Sequence, residues 1–197
     1  MANNDSLTKR LRAVLDEPET GPTLRRFFVN TIFDSTFVIL GILIASAFSS
    51  DPNLRIVIVT ITTSSVALGI STGISVFEAE TMEQSIKMKE MERAMLTSLE
   101  DTHLHKVSRL TIMVIAVVNF TAPILAGAVT LTPFLVMGEN DIRTAAYISL
   151  GLAITILFVV GAAMGRAGGR NPLAQGARMA VAGIAAFLLC FWIESLL

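Results

Sequence analysis

Long apolar runs separated by short polar stretches dominate the sequence. Five of them, Phe27–Phe48, Ile56–Phe77, Leu110–Met137, Ala145–Met164 and Ala177–Leu197, each hold about 20 residues or more,. That length crosses the hydrocarbon core of a bilayer as helix. The runs are too long and too uniformly apolar for barrel strands, which alternate and need only about ten residues. The pattern therefore predicts an all-α membrane protein with five transmembrane helices. Asp34 interrupts the first run, Pro123 and Pro133 fall within the third, and Glu194 sits at the far end of the fifth.

The segment Glu78–Arg109 contains neither Gly nor Pro, and the next helix breaker is Pro123. Helix two is thus expected to run on past the membrane as a cytoplasmic helical stalk. Near the N-terminus, Leu7, Leu11, Val14 and Leu15 fall on one helical face, with Lys9, Arg10 and Arg12 largely elsewhere. That pattern predicts a short amphipathic helix on the membrane surface, ending near Pro18. The expected organisation is a cytoplasmic amphipathic segment over 1–24, helices one and two over 25–77, the stalk over 78–109, and helices three to five over 110–197.

Composition agrees. The 197 residues are 53% hydrophobic and 16% charged, against about 25% charge in a soluble domain. A net charge of −1 offers no basic field for nucleic acid,. One cysteine, Cys190, excludes an intramolecular disulfide and a multi-cysteine metal centre,. No cleavable leader is evident, and no repeat relates the two halves. Charge also sets orientation. Under the five-helix scheme, thirteen of fifteen Lys and Arg residues fall on one side, leaving only Arg55 and Arg143 on the other. The rule that cytoplasmic loops are basic then places the N-terminus in the cytoplasm and the C-terminus outside.

Two places could carry chemistry. Asp34 is the only charged side chain deep in any span, about 12 Å along the helix from Arg26,. A carboxylate at that depth is costly unless it faces water, a partner or an ion. Asn30, Ser35 and Thr36 add oxygens nearby. The alternative is a packing lock, with Asp34 paired to a polar group such as Asn119. The second place is the stalk, where Glu80, Glu83, Glu90, Glu92, Glu100, Asp101, His103 and His105 lie among methionines. Carboxylate and imidazole suit divalent first-row metals. Glu80, Glu83, Lys87 and Glu90 recur on one helical face, and Met88, Met91, Met95 and Leu99 on a neighbouring one. The methionine stripe alone reads better as a packing seam. Gly69 with Gly73, and Gly161 with Gly165, allow close helix approach, and Pro123 can kink helix three and free a carbonyl for a pathway; ordinary membrane packing is the favoured reading of each.

Taken together these residues resemble the vacuolar iron transporter family, which moves ferrous iron and manganese. Five helices with a cytoplasmic helical insert between the second and third match that family's layout. The run from Gly161 and Gly165 through Gly169, Pro172 and Leu173 to Gly183 resembles the family's end of helix four, its Gly-x-x-Pro-Leu turn and its small-residue fifth helix. Thr132-Pro133-Phe134-Leu135 resembles its Leu-Pro-Phe/Tyr-Leu segment. Ile32-Phe33-Asp34-Ser35 resembles its Asp-Gly segment, whose Asp is a transport ligand. Ser35 stands where the family usually has Gly, Ile70 where it has a Met ligand, and Ile74 where many members have Glu. The insert is shorter, and a gapless alignment puts Glu92 on one family metal-binding Glu, with Met95, His103 and Lys106 at the positions of three others.

The resemblance implies a transporter rather than an enzyme. It implies ferrous iron or manganese as the cargo, export from the cytoplasm with proton exchange, and a homodimer in the bilayer, here of a prokaryotic cell membrane. No bound cofactor and no nucleic-acid partner are expected. Asp34 would be the membrane ligand. A reduced stalk site would draw on Glu80, Glu83, Glu90, Glu92, Met95 and His103. The competing reading is a non-transporting membrane assembly or sensor module, with the stalk as a coiled-coil seam and Asp34 as a packing lock.

Overall fold

The computed structural model describes residues 20–49, 51–96 and 103–196. It is built from helices α1 (Thr20–Ala47), α2 (Leu54–Met95), α3 (His103–Met137), α4 (Ile142–Ala167) and α5 (Pro172–Leu196), with a single 3-10 turn, Gly138–Asp141, before α4. Among the described residues all five helices contain a stretch long and apolar enough to cross a membrane. The all-α, five-helix expectation therefore holds. The 42 residues of α2 span about 63 Å,, twice the roughly 30 Å of a hydrocarbon core. Its last 18 residues, Glu78–Met95, carry eight charges. The helix continues unbroken through that charged stretch to Met95, where Leu96 turns at φ +51°; residues 103–109 of the expected stalk belong instead to the start of α3. The amphipathic segment 6–15 and Leu99 lie outside the described residues.

Capping residues fix where the helices begin and end. Pro52 precedes Asn53, whose side-chain Oδ1 accepts from the Ile56 N–H at 3.2 Å and whose carbonyl accepts from Val57 at 3.1 Å. Asn53 thus caps the free N–H groups that open α2. At the end of α4 the chain turns on Gly169, at φ +66°. The Arg170 N–H donates to the Gly165 carbonyl at 2.8 Å and the Gly169 N–H to that of Arg166 at 3.4 Å. This is the paired bonding of a glycine-terminated helix. Two residues on, Asn171 Oδ1 accepts from Leu173 at 3.1 Å. Pro172, needing no N–H partner, starts α5. The Gly-x-x-Pro-Leu resemblance is therefore a stop signal followed directly by a start signal.

The chain divides into two compact units, one of residues 1–28 and 70–120, the other of 29–69 and 121–197. In the first, the start of α1, the charged half of α2 and the start of α3 meet, burying Val76, Ile112, Ile115 and Ala116. Gly73 lets α2 approach α3, since a Cβ there would lie 3.1 Å from Phe120 Cβ. In the second, Ile39, Leu43 and Ala47 of α1 pack with Val57 and Ile61 of α2, Phe134 of α3 and Ala145 and Ala146 of α4. Phe48, Tyr147 and Phe187 form edge-to-face ring contacts, with centroids 5.0 and 5.9 Å apart, at the ends of α1, α4 and α5.

Both prolines stay inside α3. Pro123 cannot donate to the carbonyl four residues back, that of Asn119. Thr72 Oγ1 donates to that carbonyl instead, at 3.3 Å. Near Pro133, the buried Ser149 hydroxyl donates to the Thr130 carbonyl at 2.6 Å. A neighbouring hydroxyl taking up the carbonyl that proline frees, as Thr72 does, is how a low-water interior tolerates the residue; the carbonyl that Pro133 leaves without a helix donor is that of Val129, not Thr130. The carbonyl freed by Pro123 is thus taken up in packing.

Small residues also set the α4–α5 contact. A Cβ on Gly176 would lie 2.8 Å from the Phe158 carbonyl oxygen, a backbone atom that cannot swing aside. Gly176→Ala should therefore destabilise the protein by about 1–3 kcal/mol, the usual cost of overpacking. A Cβ on Gly151 meets nothing within 4 Å. Thermal melting in detergent is expected to show a clear loss for Gly176→Ala and none for Gly151→Ala.

A candidate cation-capture groove and the Asp34 face

Within the first unit, three helices border a groove of about 940 Å³. The start of α1 contributes Thr20, Thr23, Arg26 and Phe27, and α3 contributes Thr111 and Ile115. The floor is one face of α2: Glu80, Glu83, Gln84, Lys87, Glu90 and Met91 all line it. Steps of three and four residues bring these side chains onto one side of a helix. The acidic face read from the sequence is therefore a groove wall.

Glu80 is the most enclosed of the acids, at 8% exposure. Burial pushes its carboxyl pKa up, while the charges of Arg26 and then Lys87 pull the other way and Glu83 adds to the rise. Glu83 sits 3.9 Å from Lys87, one turn on, with both side chains largely in solvent. Such a pair contributes little to stability. Arg26 lies over the Phe27 ring at 5.1 Å from its centre.

The remaining stalk candidates are placed differently. Glu92 is half-buried and Met95 is exposed, near the end of α2 and away from the groove lining. His103 opens α3, and its side chain lies outside those described. Among the described residues no three His, Cys, Asp or Glu side chains converge as a set able to hold a metal. Glu80 and Glu83 are about 4.5 Å apart along the axis, and Glu90 is about 15 Å from Glu80. One ion could touch the first two, but not all three.

Asp34 belongs to the second unit and is exposed on the flank of α1, with Asn30 and Val38 on the same stripe. Among the described residues its side chain is exposed rather than packed against another helix. Ser35 and Thr36 are buried on another side, where their hydroxyls donate to the Thr31 and Ile32 carbonyls at 2.5 and 2.7 Å. Of the oxygens expected beside Asp34, only Asn30 shares its face. Asn119 is fully buried, and its Nδ2 donates to the Ile115 carbonyl at 2.8 Å.

Residues 70–195 match the sequence profile of the VIT family. The chain belongs to that family. The VIT family is that of the vacuolar iron transporters, so the protein is an integral, multi-pass membrane protein of a metal-ion transport family. Its matched region covers the charged half of α2, all of α3 and α4, and nearly all of α5. The chain is also similar to an uncharacterized protein of Methanocaldococcus jannaschii, 25% identical over 177 residues, 88% of this chain and 90% of the other. Ile70 and Ile74 of α2 are exposed apolar side chains.

Sequence reasoning counted Arg26 only as a topology marker and passed over Thr20, Thr23 and Thr111. The signal was present: Thr20, Thr23 and Phe27 keep helical spacing on α1 and mark one polar-edged face. Glu80 gives a direct test of the groove's dryness. A raised pKa means the fold binds the proton more tightly than the unfolded chain does. Stability is then lost as pH rises from the ordinary glutamate value of 4.5 through the raised one,. Above that window a buried charge opposes the fold. From α1 Arg26 faces it, from α2 Glu83 and Lys87, and from α3 Thr111. Glu80→Gln should melt higher than the wild type at neutral pH, with the gap closing toward the acid end of the window. Melting curves across pH measure this directly.

Proposed function

We propose that the protein carries divalent first-row cations, ferrous iron or manganese, out of the cytoplasm in exchange for protons. It does so as a homodimer in a prokaryotic cell membrane, with its N-terminus in the cytoplasm. The observation that supports this reading is the place of Asp34: an acid within an apolar span, on the outer flank of α1 rather than in its own chain's core. A lipid-facing carboxylate costs at least about 2.5 kcal/mol on insertion scales. A second copy apposed at this stripe would remove that cost, bringing two Asp34 and two Asn30 side chains together around a water- or ion-filled path. Two carboxylates there would neutralise one divalent ion, and their protonation would release it.

The groove on α2 would act as the cytoplasmic capture point, with Glu80 and Glu83 as its first contacts. Glu90 follows further along α2. Glu92, Met95 and His103, carried over from the family alignment, complete the proposed region. Carboxylate with imidazole or thioether favours iron and manganese over calcium. With Ile70 in place of the family's Met, selectivity would rest on oxygen ligands, which favours manganese relative to other members.

The decisive variant is Asp34→Asn. It keeps shape and hydrogen bonding but cannot neutralise a divalent ion or carry a proton. The variant is expected to fold and dimerise, with metal flux at background. Initial uptake into liposomes, compared for ferrous iron, manganese, cobalt and zinc beside a melting curve, reads both properties. Wild-type flux from a folded Asp34→Asn protein would refute the role of Asp34.

A further inference from the structure

The groove is not simply acidic. Among its described lining residues, three carboxylates, Glu80, Glu83 and Glu90, face two cations, Arg26 and Lys87. The two cations have different origins. Lys87 is on the same helix as the acids and pairs with Glu83 at 3.9 Å in solvent. It is a long, flexible side chain that can swing away when another cation arrives. Arg26 comes from α1, a different element, so its backbone is fixed across the groove from Glu80. Its guanidinium cannot lose its charge, and it lies over the Phe27 ring, itself a groove residue. Within the lining, then, one permanent positive charge, on the exposed side chain of Arg26, comes from a different helix and acts on the most enclosed acid.

We infer that Arg26 is an affinity-limiting residue of the groove: a fixed countercharge that keeps divalent-cation binding weak enough for the ion to be passed on. This rests on the reading of the groove as the capture point. A cation held by acids alone would bind tightly and leave slowly. A carrier needs a site favourable enough to fill and weak enough to empty. A fixed guanidinium achieves this without removing a ligand, because it repels the bound ion through space rather than competing for its oxygens. The repulsion acts twice as strongly on a divalent as on a monovalent ion. Being partly in solvent, it also weakens as salt rises.

The experiment uses the full-length protein carrying Asp34→Asn, which leaves the groove as the cation site under test, in mild detergent, with manganese binding followed by calorimetry at low and at high potassium chloride. Arg26→Gln is expected to tighten manganese binding roughly fivefold at low salt. The gain should shrink at high salt, and Arg26→Lys, which keeps the charge, should restore wild-type affinity. A structural role for Arg26 predicts neither the salt dependence nor rescue by Lys. Unchanged or weaker binding by Arg26→Gln at low salt overturns the inference. A Glu80→Gln, Glu83→Gln double variant separates the two claims. If it binds manganese like the wild type, the groove is not the capture point and both claims fall. If it loses binding while Arg26→Gln behaves as wild type, only the role of Arg26 falls.

Discussion

Most of this structure follows from the absence of water around long helices. A backbone carbonyl or hydroxyl in hydrocarbon has no solvent to fall back on, so most find a partner within protein; the buried Ser65 hydroxyl is an exception among the described residues. The hydroxyls of Ser35, Thr36, Ser46 and Thr130 all donate to carbonyls one turn back on their own helices. Thr72 and Ser149 reach instead to carbonyls of α3 near its prolines. The sequence can thus carry many Ser and Thr residues through apolar spans without opening a polar path. The same constraint makes the few groups that cannot be satisfied this way informative. Asp34 is one, since no main-chain donor on its own exposed flank of α1 is free to neutralise it.

Glycine completes what hydroxyls begin. Helices in lipid gain little by hiding apolar surface from one another, because the lipid is equally apolar. They associate by close fit. Gly161 meets Met179 and the Gln175 carbonyl, and Gly165 meets the Pro172 backbone, at separations that exclude a side chain. Along α5 only Gly176 and Gly183 are buried. That helix therefore turns most of its surface outward, and its hold on α4 depends on a narrow stripe of small residues. Trp192 and Phe191, near its end, are exposed, the placement expected of aromatic side chains at a membrane boundary.

The five helices were legible because hydropathy over about 20 residues is a strong signal in a chain this apolar. Their ends were not: the fourth and fifth apolar runs were read as Ala145–Met164 and Ala177–Leu197, whereas the helices run Ile142–Ala167 and Pro172–Leu196, bounded by the Gly169 turn and Pro172. The continuation of α2 to Met95 was legible from missing breakers. What the pattern could not settle was partnership. Helical spacing put Glu80, Glu83 and Glu90 on one face, but it could not say that Arg26, seven positions into α1, borders that face from another helix. Nor could proximity in sequence order the oxygens around Asp34. Ser35 and Thr36 follow it directly, and a rotation of 100° per residue carries them to the buried side. Asn30, four residues back, keeps its flank. Pro123 was read as freeing a carbonyl for a pathway; that carbonyl accepts the Thr72 hydroxyl instead, because α2 lies alongside, which no local signal encodes.

Sharing one helical face limits what the acids of α2 can do. A metal ion wrapped on several sides needs ligands that converge, and residues on one helical face point the same way. Glu80 and Glu83 are close enough to share an ion, yet both approach it from below. Glu90 is about 15 Å further along from Glu80. Any fuller coordination must come from facing elements. What faces Glu80 from α1 and α3 is Arg26 and the hydroxyls of Thr20, Thr23 and Thr111, which offer at most weak, neutral oxygens. On the proposed reading such a groove cannot be a store. It concentrates ions near the start of α1 and leaves strong, charge-neutralising coordination to the paired Asp34 face further along that helix. On that reading the groove fills and empties readily, and the charge-neutralising step would belong to Asp34, whose protonation would release the ion.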